Sequence, residues 1–263
     1  MFASMIKRLA MLPLLLLVVA CGGNVKRVAD VPFIAHAGGM VAGNIMTNSV
    51  EALYAARDNG YKYIELDLSY TADSFIVAVH DWESYNRAVG LGANGDVAPL
   101  LADFCFLGLP GGYTPLLSHK INDFFQEHDS LYLVTDKISD PDVLDRAFPG
   151  LRSRMVVEAF SYDHYVELKR RGYAYVTYSC LADDIASATL KHVVFHWLFP
   201  GPKIDKLALH TSAFDYSYLK FLMAVADFEI SLFTINRMED IPEMAREGLR
   251  FIYTDSLRPS DMK

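Results

Sequence analysis

Nine short apolar segments, at residues 33–36, 62–67, 75–80, 131–136, 155–159, 173–178, 205–209, 229–235 and 250–254, recur along the chain. Helix-like segments at 49–59, 115–128, 140–147, 162–171, 182–192, 215–226 and 238–247 separate most of them. This alternation predicts parallel βαβ units, because two parallel neighbours need a long crossover between them. A chain of 263 residues suits one α/β barrel of eight such units. Nine strand candidates exceed eight, and the link from 62–67 to 75–80 is too short to hold a helix. One strand is therefore expected to be an extra, with the irregularity around Thr71 to Ser74.

Chemistry concentrates in the first third. The segments Ile34-Ala-His36 and Ile76-Val-Ala-Val79-His80 each end in a histidine, and Ile64-Glu65-Leu-Asp67 lies between them. Strand side chains alternate between faces, so Glu65 and Asp67 project to the same side. Two carboxylates held together repel and lose hydration, which calls for a compensating cation or a proton. Oxygen ligands favour a hard divalent ion, magnesium or calcium. If the two histidine-bearing strands are parallel neighbours, their carboxyl-terminal ends share one rim with that ion. Two imidazoles beside a hard metal suit phosphoryl transfer, one taking a proton and the other giving one.

The motifs His36-Ala-Gly38, Asn48-Ser49 with Glu51-Ala52, Glu65-x-Asp67, Thr71-x-Asp73 and His80-Asp81 follow in order. In that order they resemble the signature of the glycerophosphodiester phosphodiesterase and phosphatidylinositol-phospholipase-C-like superfamily. Weaker echoes continue through Thr114-Pro115, Thr135-Asp136-Lys137, Glu158, Asn236 and Thr254-Asp255, so the likeness spans about residues 33 to 256. The resemblance implies an irregular TIM (β/α)8 barrel that hydrolyses a glycerophosphodiester or phospholipid headgroup. It implies His36 and His80 as general acid and base, and Glu65, Asp67 and Asp136 as ligands of Mg2+ or Ca2+, with Glu158 competing for the third position.

Two departures stand out. The family's phosphate-binding arginine is Ala37 here, and alanine cannot form a bidentate phosphate contact. The family's acid-x-Lys motif is compressed to Asp136-Lys137, and both can serve one site only where the strand has ended or bulges. Lys137 is the candidate replacement for the arginine. Asn48 is either a helix cap or a substrate contact. These departures motivate the alternative of a weak or inactive barrel that binds a phosphorylated lipid or glycan.

A net charge of −8 argues against nucleic acid as a partner and against a polybasic grip on anionic lipid. Membrane attachment is expected from another device. Lys7 and Arg8 precede an apolar run, Leu9 to Ala20, that ends at Cys21-Gly22-Gly23. This resembles a bacterial lipoprotein signal, with residues 1–21 as leader and lipidated Cys21, 22–31 as tether and 32–263 as barrel. The implied location is the cell envelope, on the periplasmic side or surface of the outer membrane. Nothing in the sequence indicates a protein partner.

Cys105 and Cys180 read as buried thiols rather than a disulfide. His192 and His196, four apart, sit among apolar residues and read as packing; His119, His128, His164 and His210 carry no constellation. The glycine-dotted stretch from Trp82 to Gly112 shows no clear helical period and is expected to be a long loop, either a lid over the site or a plain surface insertion.

Overall fold

The computed structural model describes residues 31–180, 184–211, 228–241 and 249–262. Its frame is a closed ring of eight parallel strands: β1 (Phe33–Ala35), β2 (Tyr63–Tyr70), β4 (Tyr132–Asp136), β5 (Met155–Ala159), β6 (Tyr175–Cys180), β7 (Lys206–His210), β8 (Glu229–Phe233) and β9 (Leu249–Thr254). They follow the order β1-β9-β8-β7-β6-β5-β4-β2, and β1 pairs with β2 to close the barrel. Helices α1 (Val50–Asp58), α4 (Ser118–Glu127), α5 (Pro141–Ala147), α6 (Tyr162–Arg171) and α7 (Asp184–Leu198) lie between them in the chain. The fold is a TIM barrel, and its strands are buried on both faces, which is why a segment such as Met155-Val-Val-Glu-Ala reads as nearly continuous apolar sequence.

The ninth strand is the expected extra. β3 (Ile76–Ala78) pairs antiparallel with the outer half of β2, through Leu68 with Ala78 and Tyr70 with Ile76. The turn at Thr71 to Phe75 is closed by Thr71 N–H on the Phe75 carbonyl and by the Thr71 hydroxyl on Asp73. His80 therefore does not close a parallel barrel strand. An antiparallel return carries it back to the rim, where Val79 N–H donates to the Asp67 carbonyl.

The stretch after β3 is not a plain loop. It contains two short helices, α2 (Trp82–Ala88), capped by the Asp81 side chain, and α3 (Leu101–Leu107). Val77, Val79, Trp82, Tyr85, Phe104 and Leu109 form a small core of their own beneath them. Helical period is hard to see in seven-residue helices, and glycines at the turns mask what remains. Cys105 is a free, exposed thiol on α3, which corrects the buried-thiol reading.

Local signals elsewhere act as the residues dictate. Ser49, Asp140 and Ser161 cap α1, α5 and α6 with their side chains, Pro141 opens α5, and left-handed Gly172 ends α6. Gly38 has φ +83°, and a Cβ there would sit 2.6 Å from the Ala52 Cβ, so only glycine lets α1 approach the turn after β1. Residues 1–30, with the leader, Cys21 and nearly all of the tether, lie outside the described residues, as do the segment 215–226 and most of 238–247. Among the described residues no helix is long and apolar enough to cross a membrane.

Candidate active site

Parallel register determines which side chains meet inside the barrel. Tyr63, Glu65 and Asp67 of β2 face inward with Tyr132, Val134 and Asp136 of β4, and the pairing of Asp67 with Asp136 places two acids side by side at the carboxyl-terminal rim. Glu65, Asp67 and Asp136 each present an oxygen within 4.8 Å of the others. Glu158 lies on the next strand, where its Oε2 accepts from the Ser179 hydroxyl at 2.9 Å, and it is not in this group.

Each acid has a different partner. Glu65 Oε2 accepts the Ala37 backbone N–H at 2.6 Å, while Glu65 Oε1 is buried with no hydrogen bond. Asp67 exchanges two bonds with Asn48, whose amide donates to Oδ2 at 2.8 Å and whose carbonyl accepts the Asp67 N–H at 3.0 Å. Asp136 Oδ1 is buried and unbonded. Burial and repulsion from neighbouring carboxylates push Glu65 and Asp136 well above the usual carboxylate range. Burial would also raise Asp67, but the charge and hydrogen bond of Lys137, with help from Asn48 and His80, hold it below that range. Two orphaned carboxylate oxygens facing a cluster short of positive charge fit a hard divalent cation.

Lys137 reaches this cluster because β4 ends at Asp136 and Lys137 takes φ +59°, turning its side chain back toward the same mouth. Its ammonium donates to Asp67 Oδ1 at 2.6 Å and to the His80 carbonyl. Asn48 and Ala37 also have positive φ, +49° and +48°, so three non-glycine residues at the site hold conformations that the surrounding fold must enforce. Ser49 caps α1, which frees Asn48 to orient Asp67.

Both histidines stand at this same end. His36 begins the turn after β1, and its Nδ1 is 2.8 Å from Asp255 Oδ1. Asn236 holds Asp255 in turn, its amide on Oδ2 at 2.7 Å and its carbonyl accepting the Asp255 N–H at 2.8 Å. Burial would raise Asp255, but the hydrogen bonds from His36 and Asn236 hold it low. His80 Nδ1 lies 2.8 Å from Asp81 Oδ2, and although burial pushes the other way, Asp81 is held at about 2 by hydrogen bonds from Ser84 and His80. With each Nδ1 engaged by a carboxylate, Nε2 is the ring atom left for proton transfer.

Beside His80 opens a cavity of about 350 Å³, walled by Ile45 to Asn48 on one side and by Tyr85, Leu109, Pro110 and Tyr113 on the other. Nothing local in the sequence marks Asp255 or Asn236 as supports of His36. Their signal was positional, an acid just past β9 and an amide just past β8. His210 also reaches the inner rim at the end of β7, its ring 5.9 Å from Phe233. His192 and His196 instead stack on Tyr178 and Tyr162, but several apolar residues around them are not buried as the sequence suggests: Phe195, Leu198 and Phe199 are exposed.

The carboxyl-terminal mouth of this TIM barrel gathers three acids and two carboxylate-held histidines. Residues 38–125 match the model of the glycerophosphoryl diester phosphodiesterase family. No curated protein matches it. Among solved structures it is similar to a Silicibacter pomeroyi protein of the glycerophosphoryl diester phosphodiesterase type, at 18% identity over 89% of this chain and 92% of that one, TM-score 0.65. It is also similar to a glycerophosphodiester phosphodiesterase from Parabacteroides distasonis, at 19% identity over 86% and 93%, TM-score 0.60. A third is an Oleispira antarctica phosphodiesterase in complex with the product sn-glycerol-3-phosphate, at 18% identity over 88% and 94%, TM-score 0.58. At these identities the likeness shows a shared fold.

Proposed function

We propose that this chain hydrolyses glycerophosphodiesters or phospholipid headgroups with a divalent metal at the carboxyl-terminal mouth. The observation that carries the reading is the convergence of Glu65, Asp67 and Asp136, two of them with orphaned oxygens, at the end of the barrel where His36 and His80 also stand. Magnesium or calcium held by these three carboxylates would supply the positive charge that offsets the phosphate.

The chain's own groups do the rest. Asn48 fixes the rotamer of Asp67, and the Ala37 N–H fixes Glu65. Asp255 orients His36, which takes the proton from the attacking hydroxyl or water. Asp81 orients His80, whose cavity has room for the departing alcohol, and His80 protonates that alcohol as it leaves. Lys137 supplies a phosphate contact in place of the arginine absent at Ala37; in the structure it rests on Asp67. The Oleispira complex with sn-glycerol-3-phosphate supports a small phosphodiester as substrate. Attachment to the cell envelope through lipidated Cys21 completes the reading, supported by the apolar run before that cysteine.

The test is hydrolysis of bis(p-nitrophenyl) phosphate and a glycerophosphodiester panel by residues 22–263, with magnesium, calcium or chelator. Metal-dependent release that His36→Ala and His80→Ala each lower by about a hundredfold or more is expected. A folded protein that releases nothing but still binds a phosphodiester would favour the binding barrel that Ala37 suggests.

A further inference from the structure

The amino-terminal mouth of the barrel, at the far end from the acids, holds a second cavity of about 280 Å³. Tyr63, Tyr132, Tyr175 and Phe251 wall it together with Ser153 and Arg250, and no described acid lines it. Arg250 is there because β9 is irregular. Leu249 pairs with Ile230 and Phe251 with Ser231, so Arg250 is the extra residue of a β-bulge. Regular alternation would turn Arg250 to the face opposite Phe251, and a bulge re-aims a side chain. Its guanidinium accordingly lies 5.0 Å from the Phe251 ring and 5.6 Å from the Tyr175 ring, inside the mouth.

This end of a TIM barrel ordinarily serves stability, and that role leaves the arginine unexplained. Lys206 holds one Glu229 oxygen at 2.7 Å, and the Tyr175 hydroxyl holds the other at 2.9 Å. Arg250 reaches that second oxygen only at 3.6 Å. Among the described residues its guanidinium makes no hydrogen bond, and its Nε is buried without a partner. A buried unpaired donor calls for a ligand or an ion. Burial raises the Tyr63 hydroxyl above its ordinary value while the Arg250 charge pulls against that rise, so the two groups share one space.

The chemistry of the donors names the ligand. An arginine fork offers five N–H donors and matches phosphate oxygens. The hydroxyls of Tyr63, Tyr132 and Ser153 on the same walls add donors without adding charge. Such a set exceeds what the two oxygens of a carboxylate need and suits a tetrahedral oxyanion. On β2, Tyr63 stands at this mouth and Asp67 at the other, so about 13 Å of strand separates the cavity from the acids.

We propose that the amino-terminal mouth is a second anion site, which binds a dianionic phosphate, free or as a monoester, on Arg250. The site is independent of the phosphodiesterase reading of the opposite mouth.

The test is calorimetric titration of the metal-stripped full chain, in a phosphate-free detergent, with inorganic phosphate, sn-glycerol-3-phosphate and acetate. Arg250→Gln is expected to weaken phosphate binding about tenfold or more. Tyr132→Phe, which removes a hydroxyl and keeps the ring, is expected to weaken it about threefold or more. Lys137→Gln, at the opposite mouth, should leave it unchanged. Arg250-dependent binding of inorganic phosphate alone would support a site for the free ion, and binding of sn-glycerol-3-phosphate as well would support one for monoesters. No binding at about 10 mM phosphate, equal binding by Arg250→Gln, loss in Lys137→Gln instead, or acetate bound as tightly would each overturn the proposal.

Discussion

The same strands end in two different chemistries. At the amino-terminal mouth of the barrel, inward positions carry Tyr63, Tyr132, Tyr175 and Phe251, with ring centroids 4.8 to 5.2 Å apart. The acid there is paired: Lys206 and the Tyr175 hydroxyl both donate to Glu229, at 2.7 and 2.9 Å. Four residues further along β2 and β4 the inward positions are Asp67 and Asp136, joined by Glu65 and Glu158, with Lys137 as the cation placed among them. One mouth is packed with aromatic rings, and its acid Glu229 is held by Lys206 and Tyr175. The other keeps unpaired carboxylates and left-handed backbone at Ala37, Asn48 and Lys137, which the fold must offset elsewhere.

Substitutions at the two mouths should therefore have opposite signatures. The largest effect is expected from Asp67→Asn and Glu65→Gln, each lowering kcat/KM by about a thousandfold or more, or about 4 kcal/mol. Glu65→Gln removes a buried, repelled charge, so the metal-free thermal midpoint should rise by about 2–4 °C rather than fall. A variant that loses activity by unfolding would break the comparison.

His36→Ala and His80→Ala are expected to cost about 10² to 10⁴ in kcat, with melting nearly unchanged because both rings are partly exposed. Saturating magnesium or calcium, at about a hundred times its dissociation constant, should stabilise the protein by about 2.7 kcal/mol, or about 5–10 °C. Chelator should reverse that shift, and Asp67→Asn should show none of it. At the other mouth, Tyr175→Phe removes one hydrogen bond to Glu229 and should cost about 1 kcal/mol of stability while leaving kcat/KM unchanged.

How much of this was legible follows from how local each signal is. All nine strand candidates correspond to observed strands within a few residues, because runs such as Met155 to Ala159 are apolar enough to mark themselves. The set Glu65, Asp67, Asp136, His36 and His80 was readable from motif order, and the structure places all five at one mouth. The antiparallel turn of β3 was not readable in direction, since period two is the same whichever way a strand runs. The Asp255–Asn236 support of His36 joins residues 219 apart, a contact that only barrel closure creates. Asn48 read equally as a helix cap or a site residue, because caps and site ligands draw on the same short polar side chains.

The central claim is that the carboxyl-terminal mouth is a metal-dependent phosphodiesterase site. Its most direct test is one titration of metal-stripped protein with magnesium or calcium, following hydrolysis of bis(p-nitrophenyl) phosphate and thermal midpoint on the same samples. The account predicts that both rise together with one midpoint and that neither rises in Asp67→Asn. Hydrolysis that is full without metal, or that survives in Asp67→Asn, would contradict it.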